Sequence, residues 1–102
     1  MPGARKRIKT MAKVRFQGKV QGVFFRANTR KFATRNGLTG EVKNCTDGSV
    51  KAVFEGERYL IEKTIEQCIH RQPYANVTEH EIVWCEYSIK YESFEIKYRG
   101  GC

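Results

Sequence analysis

With 102 residues, the chain has room for one compact domain, which excludes a two-domain enzyme or a long repeat array. Hydrophobic residues at 40% and charged residues at 29% allow a packed interior under a polar surface and exclude compositional disorder. The formal net charge of +8 falls to about +4 once Arg5, Lys6, Arg7 and Lys9 are set aside, a balance that suits an anionic ligand of any size and selects none.

Residues 1–12 contain Pro2, Gly3 and that basic cluster and read as a disordered leader. The domain is expected over residues 13–98, with 99–102 as a tail. From Lys13 to Val20 apolar Val14, Phe16 and Val20 alternate with Lys13, Arg15 and Lys19, the period of a half-buried strand. Gly22 breaks the pattern. Phe25, Thr29, Phe32, Ala33 and Asn36 then recur at helical spacing, and Asn36-Gly37 supplies a C-terminal cap.

Leu38, Gly40, Val42 and Asn44 share one face of a second strand, and Val50, Ala52 and Phe54 share one face of a third. Thr46-Asp47-Gly48 between them predicts a hairpin. Leu60, Ile61, Thr64, Ile65, Cys68 and Ile69 form a stripe on a helix over residues 58–72, which Pro73 stops. Val77 to Glu86 reads as a fourth strand. Phe94, Ile96 and Tyr98 alternate with Glu95 and Lys97 in a short final one, which assigns Phe94 and Tyr98 to the apolar face. The order strand, helix, strand, strand, helix, strand predicts an α+β fold: a ferredoxin-like split βαβ sandwich, βαββαβ, with two helices on one face of a mainly antiparallel sheet. That fold carries enzymes, metal carriers and RNA-binding modules alike.

No apolar run approaches the roughly 20 residues needed to span a bilayer, and no apolar segment follows the basic N-terminus, so no membrane partner is expected and a cytoplasmic location is the default. Cys45, Cys68, Cys85 and Cys102 lie 23, 17 and 17 residues apart, a spacing that fits neither a zinc ribbon nor a dense disulfide framework, and they read as reduced thiols. Cys68, His70, His80 and Cys85 can be drawn as a zinc set but match no standard ligand spacing.

The most informative stretch is Gly18-Lys19-Val20-Gln21-Gly22-Val23-Phe24-Phe25-Arg26, which joins a strand end to a helix start. Unpaired backbone N–H groups at the positive end of a helix form an anion cradle, and the planar fork of Arg26 fits a phosphate bidentately. Taken alone, Gly22 would be a turn residue and Arg26 a solvated helix charge. Neither G-x-x-x-x-G-K-[ST] nor G-x-G-x-x-G is present. No cysteine is followed six positions later by arginine, since Lys51, Tyr74 and Tyr91 stand there, which argues against a cysteine-nucleophile phosphatase.

This stretch resembles the signature of the acylphosphatase family, G-x-V-Q-G-V-x-F-R, with a chance probability on the order of 10⁻⁷ at average residue usage. Gly37-Leu38-Thr39-Gly40-Glu41-Val42-Lys43-Asn44 and Asp47-Gly48-Ser49-Val50 resemble the family's G-L-x-G-x-V-x-N and D-G-x-V. The resemblance covers roughly residues 13–98. It implies a small hydrolase of acyl phosphates, independent of metal and without a cofactor, that releases a carboxylate and inorganic phosphate. Arg26 matches the family's phosphate-binding arginine and Asn44 the asparagine that positions the attacking water. The turn of Gln21, Gly22, Val23, Phe24 and Phe25 matches the backbone phosphate-binding cradle.

These residues suit that chemistry. A carboxylate leaving group with a pKa near 4 requires no strong general acid, and phosphoryl transfer rests on positioning and charge stabilisation. Arg26 and the turn amides supply charge, while Asn44 can accept a hydrogen bond from water. Phe24 either lines the acyl side or packs on the core. Glu41 stands where many relatives carry an aromatic residue, and Arg71-Gln72-Pro73 replaces the more usual Gly-Pro.

Two other readings compete. An RNA-recognition module would carry an aromatic RNP1 strand, whereas this one reads Val50-Lys51-Ala52-Val53-Phe54, so no nucleic-acid partner is expected. A catalytically silent domain would be expected to lack Arg26 or Asn44. The expectation is a monomer acting on a small-molecule acyl phosphate.

Overall fold

Alternating side chains settle onto a sheet only when both faces of each strand find their medium. Ala12, Val14 and Phe16 point to the helices and are buried, while Lys13 between them is exposed. The structure, a computed structural model, describes residues 8–98 and 102. Its elements are β1 (Lys9–Lys19), α1 (Phe25–Arg35), β2 (Thr39–Asn44), β3 (Val50–Glu57), α2 (Arg58–His70), β4 (Asn76–Cys85) and β5 (Phe94–Lys97).

The sheet order is β4-β1-β3-β2-β5. β1 pairs antiparallel with β3 and β4, β2 pairs antiparallel with β3, and only β5 runs parallel to its neighbour β2. This is the expected βαββαβ sandwich with a short edge strand added. α1 buries Phe25, Thr29 and Ala33, and α2 buries Ile61, Thr64, Ile65 and Cys68. Between the layers the Phe16 and Phe25 rings meet edge to face at 5.1 Å, and on the sheet itself the Phe54 and Phe94 rings stack at 5.5 Å. The Asn36 side-chain amide, at the end of α1, donates to Thr64 Oγ1 at 2.7 Å and Gln67 Oε1 at 2.9 Å, tying the two helices together.

Two expectations need correction. β1 begins at Lys9 rather than Lys13, with Lys9 opposite Glu57 and Met11 opposite Cys85. Met11 and Ala12 are buried, so residues 9–12 belong to the sheet, and residues 1–7 of the expected leader lie outside the described residues. Cysteine use also differs: Cys45 and Cys102 form a disulfide, their Cα atoms 5.2 Å apart, while Cys68 and Cys85 are free thiols. Residue 102 can reach residue 45 because β5 runs parallel to β2 and carries the chain toward the same end of the sheet. Cys68 is sealed in the core 3.4 Å from Thr29 Oγ1 and burial pushes its thiol up to about 12, whereas His70 and His80 are exposed, so the drawn zinc set is not assembled.

Glu55 of β3 is 1% exposed. Its carboxylate accepts from Ser88 N–H at 3.1 Å, Ser88 Oγ at 2.6 Å and Lys90 N–H at 3.0 Å, which clamps the β4–β5 connection around Ile89, a residue at φ 52°. Burial by itself would raise this carboxyl, but these bonds and one from the Tyr91 backbone outweigh it and hold the group below its usual 4.5. A depressed carboxyl stabilises the fold above the ordinary value and loses that contribution as pH falls through the folded one. Glu55→Gln turns N–H donors toward N–H donors. Urea denaturation at pH 7 should register a loss of about 2–3 kcal/mol, with a flatter decline in stability below pH 4.5 than the wild type shows.

Candidate functional site

The two motifs meet at one end of the sheet. Val20, Gly22, Phe24, Phe25, Arg26 and Ala27 from the β1–α1 connection, Asn44 from the end of β2, and Ile96 and Tyr98 from β5 and just beyond line an open cleft of about 300 Å³.

The connection curls because two of its residues, Gly22 at φ 73° and Phe24 at φ 64°, take the left-handed conformation. Backbone of this kind gathers N–H groups into a concave nest. Phe24 is the N-cap of α1, no side chain caps that end, and the first helical bond runs from Asn28 N–H to the Phe24 carbonyl at 3.0 Å. The amides of the first turn are therefore left for a ligand. Phe24 holds its strained conformation with its ring 74% exposed at the rim of the cleft, which resolves the choice between lining the cleft and packing on the core.

The motif glycines serve different ends. Gly22 has open space around it, so only its positive φ demands glycine. At Gly18 a Cβ would lie 2.2 Å from the Asn76 carbonyl oxygen, because β1 bulges there against β4.

Asn44 closes β2 opposite Val50. The turn beyond it is fixed by Cys45 N–H to the Ser49 carbonyl at 2.8 Å, Gly48 N–H to the Cys45 carbonyl at 3.1 Å, and Asp47 Oδ1, which accepts from Ser49 N–H at 3.0 Å and Ser49 Oγ at 2.6 Å. The Ser49 bonds, with Arg15 paired to its carboxylate, hold Asp47 below the usual carboxylate range. Asn44 lines the cleft, and its Oδ1 is buried and meets no donor among the described residues, an acceptor left without a partner.

Arg26 is half-buried at the start of α1. Its Nη1 donates to the Lys97 carbonyl at 3.1 Å, and its guanidinium carbon lies 4.9 Å from the centre of the Tyr98 ring. The rest of the fork remains for an anion.

Of the residues expected from sequence, Gly22, Phe24, Phe25, Arg26 and Asn44 share this cleft, whereas Gln21 and Val23 do not line it. Val23 is buried in the core. The Gln21 amide donates to the Cys45 and Ser49 carbonyls, both at 2.8 Å, and so straps the cradle turn to the hairpin that carries Asn44. Alternation assigns Tyr98 to the apolar face; its ring lies against Arg26 of α1 but is 79% exposed. No Asp, Glu or His lines the cleft. It offers a cation, backbone donors and one neutral acceptor, a set suited to holding a phosphoryl group and orienting a neutral nucleophile.

Comparison with known proteins finds one family over most of the chain. The family model described as Acylphosphatase matches residues 12–96. Among curated relatives, an acylphosphatase of Thermoplasma volcanium is 44% identical over 88 residues, covering 86% of this chain and 97% of that protein. One of Pelotomaculum thermopropionicum is 41% identical over 87 residues, covering 85% and 95%. Among solved structures, an acylphosphatase from Coxiella burnetii superimposes with a TM-score of 0.81 at 37% identity, covering 87% of this chain and 93% of that one.

The two glycines separate by experiment. Gly22→Ala should cost about 1–2 kcal/mol of folding free energy from left-handed strain alone. Gly18→Ala should cost more, since backbone must move, and urea denaturation of both variants checks the order.

Proposed function

Since the chain belongs to the acylphosphatase family, whose members hydrolyse acyl phosphates, we propose that its cleft performs this reaction with Arg26 and the amides of the Gln21–Phe25 turn binding the phosphoryl group and Asn44 positioning the attacking water. The observation that carries the assignment is the convergence in one cleft of Arg26, an uncapped helix start and the unpartnered Asn44 Oδ1. In this reading Gln21 and Val23 contribute through their backbone, and the Gln21 side chain serves as a strut.

Arg26 and the turn N–H groups draw charge from the non-bridging phosphoryl oxygens. Asn44 Oδ1 accepts a hydrogen bond from water and holds its oxygen in line with the bond to be broken. As the water oxygen bonds to phosphorus, the phosphorus–oxygen bond to the acyl group breaks and the carboxylate departs with the electron pair. The water's proton passes to phosphate or solvent. A carboxylate leaving group needs no protonation, which fits a cleft without Asp, Glu or His and supports hydrolysis without metal or cofactor.

We place the substrate among small-molecule acyl phosphates, the enzyme in the cytoplasm as a monomer, and its domain over residues 13–98 together with the strand residues that precede them. No helix among the described residues is long and apolar enough to cross a membrane. On the open face of the sheet β3 presents Lys51 and Val53 where an RNA-stacking strand would carry rings, so no nucleic-acid partner is assigned.

Hydrolysis of an aromatic acyl phosphate, with and without a chelator, tests the roles. Asn44→Ala should lower kcat by roughly 10²–10³-fold while inorganic phosphate still protects the fold against heat. Arg26→Ala should lose both turnover and protection. Equal loss of phosphate protection in folded Asn44→Ala would remove the water-positioning role.

A further inference from the structure

Tyr98 and Cys102 lie beyond the matched residues 12–96, yet both converge on the cleft. The Tyr98 ring covers the Arg26 guanidinium and borders the cleft, and Cys102 is bonded to Cys45, the residue after Asn44. We propose that Tyr98 is a positioning residue for Arg26 and that the Cys45–Cys102 disulfide is a redox-sensitive latch that keeps it in place, so that affinity for the phosphoryl group follows the thiol–disulfide state. This rests on the assignment of Arg26 to the phosphoryl group.

Apart from the disulfide, β5 is lightly held. β5 has four residues and pairs only with β2 at the edge of the sheet. Its packing is concentrated at Phe94, stacked on Phe54, and at half-buried Ile96, while Lys97 and Tyr98 are exposed. A short edge strand with so little packing opens easily. The disulfide limits this opening: four residues from Tyr98, the chain is fixed to the end of β2, within about 14 Å of contour. Tyr98 is thereby confined near Arg26, where the Lys97 carbonyl and the ring restrict the guanidinium from two sides.

Asn44 is secured differently. Its hairpin is held by β2–β3 pairing, by the Asp47–Ser49 bonds and by the Gln21 amide, none of which passes through sulfur. Opening the disulfide should therefore loosen Arg26 while leaving the water-positioning residue in register, which separates binding from turnover.

The sulfurs differ in access, since Cys45 is 4% exposed and Cys102 is exposed. A dithiol reductant attacks the Cys102 sulfur through its thiolate, and the Cys45 thiolate leaves and takes up a proton. The reagent's second thiolate then closes on the mixed disulfide and frees Cys102, so that two electrons and two protons have passed to the protein. Glutathione disulfide reverses the exchange.

The test compares oxidised and dithiothreitol-reduced wild type with Cys102→Ser, Tyr98→Phe and Tyr98→Ala. It measures KM and kcat on an aromatic acyl phosphate and, separately, inorganic phosphate binding by calorimetry. Thiol titration in denaturant should find two thiols before reduction and four after it. Reduction should raise KM and the phosphate Kd about two- to fivefold, the weight of one exposed cation–π contact, with kcat changed by less than that. Cys102→Ser should match the reduced enzyme in any redox state, and Tyr98→Ala should show the same loss and no response to reductant. Tyr98→Phe keeps the ring and should behave as wild type.

Four thiols before reduction, a phosphate Kd indifferent to reduction, or an equal response to reductant in Tyr98→Ala would each overturn the latch. An oxidised wild type that binds phosphate without turning over substrate would instead strike at the proposed reaction, and the calorimetric comparison would still decide the latch.

Discussion

The two hydrogen bonds from the Gln21 side-chain amide, to the carbonyls of Cys45 and Ser49, are the constraint on which the site depends. The cradle follows β1 and the hairpin joins β2 to β3, so the two halves lie on separate ladders with β3 between them in the sheet order β4-β1-β3-β2-β5. Each bond is worth about 1 kcal/mol of net stability, a modest sum. Their greater effect is geometric, because one planar group that spans two carbonyls of the same turn fixes both separation and tilt. Arg26 and Asn44 inherit their relation from that planar group.

Around this strap the molecule divides its labour between side chains and backbone. Apolar side chains make the core: Phe16 and Phe25 lock the strand before the cradle to the helix after it, so the turn between them has little freedom left. The cradle is backbone, and the cost of shaping it falls on Phe24, since Gly22 takes its left-handed conformation freely. Phe24 shows that the arrangement is imposed by its surroundings, since a residue with a ring would not choose that conformation in an unconstrained turn. Strain is tolerated here because the packed pair on either side outweighs it.

Much of this was legible in the sequence, and the exceptions share a cause. Strand and helix periods at Val14, Phe16, Val42, Ala52, Ile61 and Ile65 set the architecture, because burial on one face leaves a regular trace in the chain. The signature stretch located the cradle, and Asn44 fell at the strand end where its motif places it. Gln21 was assigned to the right turn, but the direction of its amide depends on carbonyls more than twenty residues away. Spacing alone makes Cys45 and Cys102 free thiols, because it carries no record of a parallel edge strand that returns the chain to β2. Tyr98 continued the alternation correctly in phase, but alternation reports which side a residue faces and not whether a helix covers it. Lys9 to Ala12 are hidden by the basic cluster that runs into them, although β3 and β4 extend far enough to pair with them.

The central position of β1 bears on how the chain assembles. β1 is made first, yet its two neighbours, β3 and β4, lie much later in sequence, and β4 follows both helices. Closing such large loops comes before any reward from pairing and slows folding. The β2–β3 hairpin, joined by a short turn that its own Asp47 and Ser49 stabilise, is the one sheet pair that can form locally, on the microsecond scale of hairpins. Asn44 would thus sit at the end of its strand before the Arg26 half exists as a cradle, and the last strands to dock, β4 and β5, bring the completing contacts with them. During synthesis one edge of β1 can pair once β3 has emerged, but the edge that β4 takes stays open beside an apolar face until both helices have followed, an interval of exposure that invites wrong pairing.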